Sequence, residues 1–508
     1  MLARPAMPTG RWATRLLLTL AAAAAALPLR HPLPAITDFP EHAATIATVH
    51  DALFGGPLDG WYRLDPVHTQ YWLMAVVGAL LSPLVGGAAP ALTLLLVAAV
   101  VGTALGLARL LHALGLDERL ALVAVALVWT RPMTLGFVPF LLATPLVLLA
   151  LAEVGAAGRT RGGLVVALGL GTFLLNLASV AWLGVGALAV AVGREAGAGP
   201  RRELPARLFR RLWGVALLAV PLAGWWAFSD VTNVDASRFA VSMRGQWWSP
   251  LRLAREAPGW LLDRWHGDED RWWLGALGVG LVVLALPLGP REGAAGRRPA
   301  LLLAAVTAAL CLALPFERGW LWGLSARFLP LAVTLLGVAL PSRRGPVRVA
   351  GLALVAASAA GVTRLADDRV AAAQAELRGA ELVRGLASSA RVLQLSFDEG
   401  SAVTLDAATP HLVAYHRAWN HGANEPSFVD LPQSVVRYRE GKAPYLRPWP
   451  WEFAPDGYDN ALEGPHYDAV LVRGAGASFP PAGGAPGPRW QFLREAPGWR
   501  LFVRASGP

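Results

Sequence analysis

The sequence predicts an α-helical polytopic membrane protein of about 11 transmembrane helices with a small C-terminal soluble domain of α/β or α+β type. Three observations predict it. Mean hydropathy is +0.44 over 508 residues, and 55% of them are hydrophobic. Charged residues are only 16%, against roughly 25% in an average soluble domain. A soluble multidomain enzyme cannot cover its surface with so few charges, and a disordered chain needs the opposite balance. Finally, apolar runs of the length a bilayer demands, about 20 residues, recur as far as residue 363 and then stop.

The runs fall near 14–30, 67–87, 90–112, 119–131, 134–155, 163–193, 209–228, 272–289, 299–315, 327–341 and 348–363. The first follows Arg11 and Arg15 and reads as a retained helix, since no cleavage site stands apart from the run. The runs at 119–131 and 327–341 are short, and the one at 163–193 is long enough to be broken near Asn176–Ser179. Residues 1–363 therefore form the membrane domain, with outer loops at 31–66 and 229–271. Residues 364–508 form the soluble domain: a helix over 365–389, strands at Arg391–Phe397, His411–His416, Ala469–Arg473 and Trp499–Val503, and a Gly/Pro/Ala loop at 474–489.

The net charge of +10 is nearly all arginine, because Lys442 is the single lysine. It is no sign of a nucleic-acid partner once the charges are placed. Arginines crowd segments 194–211, 291–298 and 343–348, which the positive-inside rule assigns to the cytoplasm. Loop 31–66 instead holds Asp38, Glu41, Asp51, Asp59 and Asp65 against Arg63, and loop 229–271 is rich in tryptophan. Both belong outside. The amino terminus is then cytoplasmic and the soluble domain extracytoplasmic, in a bacterial inner membrane. Arg159 and Arg161 fall on the wrong side unless the 163–193 run is broken. The one cysteine, Cys311, excludes an intramolecular disulfide.

Chemistry-bearing residues concentrate in the first outer loop. Ile36–His42 (ITDFPEH) places Asp38, Glu41 and His42 directly after the first span as candidate catalytic groups. Asp38 and His42 are four apart, so a helix beginning near Pro40 brings them to one face. Asp38 equally suits the cap of that helix. The loop ends in Asp65 and His68, which serve either as substrate contacts or as interfacial anchors. Arg131 and Arg327 sit at the edges of apolar runs, where an arginine is costly unless paired, and a guanidinium suits phosphate. Asp268, Glu269 and Asp270 are the candidate metal ligands, a solvated loop tip being the other reading, and a divalent cation is the candidate cofactor. His411, His416, His421, Asn424 and Glu425 have irregular spacing and read as a polar loop.

In layout the chain resembles the C-type (GT-C) superfamily of polyprenyl-phosphate-sugar-dependent membrane glycosyltransferases. It is nearest to bacterial polytopic proteins with a D-x-P-x-H-like first loop, matched by Asp38, Pro40 and His42. The stretch Gly136–Leu142 (GFVPFLL) and the terminal strands around Tyr467–Val472 and Trp499–Phe502 are similar too. The resemblance implies inversion at a sugar anomeric carbon, with a first-loop carboxylate near the reaction centre: Asp38 by position, Glu41 as understudy. It implies a polyprenyl-phosphate-linked sugar as donor and a glycan, lipid or protein as acceptor, with Arg327 or a metal at the lipid phosphate. The first loop shows Asp-Phe-Pro-Glu rather than paired acids, a departure that bears on metal use. A transporter or flippase of a lipid-linked or polar solute, and a non-catalytic envelope protein, are the competing readings. No repeat symmetry of the transporter kind is visible.

Overall fold

The computed structural model describes residues 8–66, 69–158, 160–228, 245–286, 294–318, 321–340, 345–398, 400–406, 408–445, 454–474, 479 and 486–505. His68, Arg159, Arg291, Arg343, Arg344, the first part of the loop before Gln246 and most of the 474–489 loop lie outside these residues.

The first apolar run is helix α1 (Pro8–Ala25), and the first loop opens with α2 (Phe39–Phe54). Next come α3 (Leu73–Val85) and α4 (Ala88–Leu114). The run at 119–131 makes no span. It breaks into α5 (Leu122–Ala126) and α6 (Arg131–Leu135); Pro132 sits in the first turn of α6, where its missing N–H costs no bond, and Gly136 closes that helix in the left-handed conformation. α7 (Val138–Gly155) follows.

The 163–193 run divides as the arginines require, into α8 (Gly162–Phe173) and α9 (Leu177–Glu195). Asn176 is the N-cap of α9, its side chain accepting from the Ser179 N–H. This turn returns the chain to the far end of the bundle. Arg161 therefore lies with Glu153, at the end of α7 away from the first loop. α10 (Leu204–Ala216) and α11 (Ala219–Phe228) form a pair bent by 41°. α12 (Pro250–Leu261), α13 (Glu269–Ala285), α14 (Ala294–Ala313) and α15 (Leu329–Ala339) complete the bundle before α16 (Pro346–Leu377).

Among the described residues, five helices are long and apolar enough to cross a bilayer, or six if the bent pair is one span. Shorter apolar helices such as α3, α8 and the one ending at Ala339 lie among them. Length and composition alone therefore do not give eleven full spans.

The 363/364 boundary falls inside α16, which runs unbroken from the membrane into the tail. After α17 (Gly379–Val383) the tail folds into a five-stranded sheet in the order β3-β2-β5-β7-β6. In chain order β1 is Tyr62–Leu64 of the first loop, followed by β2 (Arg391–Ser396), β3 (Ala423–Glu425), β4 (Val436–Tyr438), β5 (Ala469–Arg473), β6 (Trp490–Ala496) and β7 (Trp499–Arg504). β2 lies parallel to β3 and β5, while β7 is antiparallel to β5 and β6. Alternate residues serve opposite faces. Val392, Ala469, Leu471 and Leu501 join the core shared with the bundle, while Leu393, Leu395, Val470 and Phe502 form a separate cluster on the other side. His411–His416 is not a strand: it is a turn leading into α18 (Ala414–Asn420), as a six-residue apolar stretch permits equally well.

Tail and bundle are one body. β1 pairs antiparallel with β4, matching Tyr62 to Tyr438 and Leu64 to Val436. α18 lies against α2, where Glu41 and Arg417, both 0% exposed, form an ion pair of 2.8 Å. The same carboxylate accepts from Asn424 Nδ2 (2.9 Å) and the Phe428 N–H (3.0 Å). Removing either partner strands the other charge in a site closed to water, a cost of about 3–5 kcal/mol. Thermal unfolding in detergent is expected to show a large drop in Tm for Glu41→Ala and for Arg417→Ala. The double variant should lose clearly less than the sum, whereas strict additivity would mean that the pair carries no coupling.

Candidate functional site

The candidate site lies where α2, the α6–α7 turn and the tail meet. Asp38 occupies the N-cap position of α2, yet its side chain makes no capping hydrogen bond. The carboxylate is turned away from the helix and held from behind. Thr37 N–H donates to Thr134 O (2.9 Å) and Asp38 N–H to Leu135 O (3.1 Å). Gly136 makes this approach possible. Its φ is +86°, and a Cβ there would lie 3.0 Å from the Asp38 Cβ.

Opposite the carboxylate stands His411 of the tail, its Nε2 3.4 Å from Asp38 Oδ1. His42, one turn along α2, points its Nε2 at the Gly136 carbonyl (3.0 Å). A carbonyl only accepts, so that nitrogen carries hydrogen. Burial lowers the His42 pKa, opposed by Asp38 and by the bond to Gly136. His42 is thereby a neutral brace for the turn. Phe428 packs edge-on against both imidazoles, 5.9 Å from His42 and 5.1 Å from His411.

Arg327 lies on the other side of the same turn. Its guanidinium sits 4.3 Å over the Phe137 ring, next to Gly136 in the chain. Nη2 donates to Trp322 O (2.8 Å) and Nε to Gly323 O (3.2 Å). Among the described residues no carboxylate forms an ion pair with it; Tyr71 and, less strongly, Asp38 act on it electrostatically. Below Arg327 a narrow apolar slot of about 80 Å³ descends between α4, α7 and α15, lined by Leu107, Leu141, Leu148 and Leu335 among others. The lining residues Phe140 and Leu148 are eight apart on α7, about 12 Å along its axis.

The other sequence candidates have different positions. Glu41 is closed off as a base, because it is fully buried and its carboxylate is occupied by Arg417, Asn424 and Phe428. Asp65 sits at the first-loop seam with the tail, its N–H donating to Val435 O and its carboxylate 3.7 Å from Arg63. Arg131 is committed to Asp406 (2.8 Å), with its guanidinium 5.1 and 5.2 Å from the Trp260 and Trp322 rings. Arg264 pairs with the same Asp406.

The acidic trio forms no cation site. Asp268 pairs with Arg271 (2.9 Å) and Glu269 with Arg369 (3.1 Å), while Asp270 turns inward to accept the N–H groups of Arg264, Trp265 and Arg271. Nearby arginines and the start of α13 satisfy these carboxylates without a metal. Among the described residues no group of three His, Cys, Asp or Glu side chains gathers to hold an ion.

His411, Asp406 and Arg264 were not among the residues that sequence reasoning placed at the site. Only the docking of the tail brings Asp406 and His411 to the first loop, and no local spacing signals it.

In overall fold, bundle and docked tail together, the chain is similar to a solved membrane protein along nearly its whole length. The crystal structure of ArnT from Cupriavidus metallidurans bound to undecaprenyl phosphate superposes with a TM-score of 0.57 at 14% identity, covering 99% of this chain and 100% of that one. The apo structure of the same protein aligns at a TM-score of 0.43 and 13% identity, covering 98% and 99%. No protein-family model and no curated protein sequence matches the chain.

The remaining tail histidine contact couples docking to pH. His421 Nδ1 lies 2.6 Å from Asp51 Oδ2 of α2. That hydrogen bond raises the His421 pKa; Asp51 is lowered because the His421 contact and the Leu58 N–H outweigh burial. The His421 contribution is full below its ordinary value of about 6.5 and fades as pH rises through the raised one. The Asp51 contribution is full above about 3.9 and fades as pH falls through its lowered value. Thermal stability measured upward from about pH 6 is expected to decline in the wild type and to decline less in His421→Gln. Identical slopes would show that the contact does not titrate in this window.

Proposed function

We propose that this protein is a GT-C-type membrane glycosyltransferase that transfers a sugar from a polyprenyl-phosphate donor to an extracytoplasmic hydroxyl acceptor. One observation carries the reading. The uncapped Asp38 carboxylate and the Arg327 guanidinium flank a single turn, Gly136–Phe137, and Arg327 itself lines an apolar slot. A polyprenyl phosphate needs that combination: an apolar channel for the isoprenoid, a cation for the phosphate and a carboxylate close to the sugar carbon. The fold neighbour bound to undecaprenyl phosphate supports the lipid class.

In this mechanism Asp38 takes the proton of the acceptor hydroxyl. The acceptor oxygen bonds to the anomeric carbon as the carbon–oxygen bond to the lipid phosphate breaks, with inversion. The electron pair leaves on the phosphate, where Arg327 offsets the charge. Two of its nitrogens are held by backbone carbonyls, so the guanidinium is fixed before the phosphate arrives. His411 holds Asp38 in place across the tail interface. The arginine-rich helix ends then face the cytoplasm and the tail faces outward, in a bacterial inner membrane. The acceptor is a glycan, lipid or protein reached from that outer side.

Asp38→Asn tests the assignment, with transfer followed by consumption of radiolabelled polyprenyl-phosphate sugar in membranes. Loss of a general base is expected to slow transfer by about 10²–10⁴-fold. Membrane insertion and binding of the product polyprenyl phosphate should be unchanged. Wild-type turnover in this variant would overturn the role of Asp38.

A further inference from the structure

At the end of the bundle away from Asp38 the structure holds a second cleft, of about 340 Å³, that the transfer reaction does not use. Its position follows from the helices. α7 starts at the Phe137 side of the molecule and lines the cleft with Leu149 and Glu153, Glu153 lying 15 residues and about 22 Å beyond Val138. Arg15 near the start of α1, Arg109 near the end of α4 and Arg161 just before α8 line it together with Glu153. Leucines such as Leu105 and Leu168 form the rest of its wall.

Its charge is not balanced. Glu153 takes Arg161 through two hydrogen bonds of 2.6 and 2.8 Å and stands 3.5 Å from Arg109. Arg15 reaches Glu118 at 3.0 Å. Three arginines thus share two carboxylates. The side chains of Arg15, Arg109 and Arg161 remain 35%, 38% and 64% exposed, so each keeps N–H donors for a further partner. A polar, cationic rim above a leucine wall between helices matches a phosphodiester with acyl chains, and matches poorly a soluble anion, which has no use for the wall. The arginine-rich end of the bundle is the cytoplasmic one by the positive-inside rule, and that leaflet surface carries anionic lipid.

We propose that the cleft between α1, α4, α7 and α8 is a binding site for an anionic phospholipid of the inner leaflet. The phosphate sits among Arg15, Arg109 and Arg161, and an acyl chain lies along Leu105 and Leu168. The site is separate from the Asp38 centre.

Native mass spectrometry of the full-length protein tests this, using phosphatidylglycerol and phosphatidylcholine of identical chains, with inorganic phosphate as competitor. Phosphatidylglycerol is expected to be retained preferentially and not to be displaced by phosphate. Arg109→Gln and Arg15→Gln should each weaken that retention by about fivefold, the equivalent of about 1 kcal/mol per arginine near an anionic surface. Arg201→Gln/Arg202→Gln, at the exposed start of the segment leading to α10, is the control and should leave retention unchanged. Equal retention of the two lipids would overturn the proposal. So would retention insensitive to Arg109 and Arg15, or displacement by phosphate alone. Should either single variant fold poorly, Leu105→Gln/Leu168→Gln, which spares every charge, is expected to reduce phosphatidylglycerol retention relative to its own phosphatidylcholine signal. An unchanged ratio would count against the acyl-chain contact.

Discussion

A carboxylate and a guanidinium buried together hold this molecule in register. Glu41 and Arg417 are each 0% exposed, and one belongs to the first loop after the first helix while the other belongs to the tail. Neither charge is tolerable alone in that position. The tail must therefore dock in one orientation, and Asn424 and Phe428 complete the carboxylate's hydrogen bonds. From that docking follow the β1–β4 pairing, the contact of His421 with Asp51 and the approach of His411 to Asp38. Glu41 lies three positions after Asp38 at the same helix start, so the clamp fixes one acid by using the other. Glu41 serves the structure, while Asp38 stays open to the site.

Charge elsewhere obeys the same economy. Asp406 draws Arg131 and Arg264 together from two different segments of the bundle, and the tail supplies it. At the far end Glu195 takes Arg207 and Arg211, and Arg211 also caps α7 by donating to the carbonyls of Val154 and Ala156. Arg327 differs from these. Its described partners are the carbonyls of Trp322 and Gly323 and the rings of Phe137 and Phe140, and among the described residues no carboxylate is ion-paired with it. That contrast, more than burial alone, separates it from Arg131, which the sequence presents in the same way.

The parts legible in the sequence are those governed by local pattern. Apolar runs locate the helices, the arginines at 159–161 demand the break that Asn176 makes, and Asp38 and Arg327 stand out as charges at the membrane edge. The strands at 391–396, 469–473 and 499–504 show in their apolar, β-branched composition. What escaped depends on distant segments meeting. Glu41 reads as a free acid until Arg417 arrives, and Asp406 has no neighbour in sequence to suggest its two arginines. His411–His416 is too short for periodicity to separate a strand from a turn and helix. The 363/364 boundary marks a change in hydropathy, while α16 carries the backbone straight through it, so composition and architecture divide the chain at different places.

The proposed function joins Arg327 and Asp38 in one centre beside the apolar slot that Arg327 lines. An experimental structure of the protein with a polyprenyl phosphate bound tests it most directly. A phosphate oxygen is expected within hydrogen-bond distance of the Arg327 guanidinium, with the isoprenoid chain between α4, α7 and α15 and the Asp38 carboxylate facing the phosphate. A phosphate seated away from Arg327, with the slot empty, would contradict it.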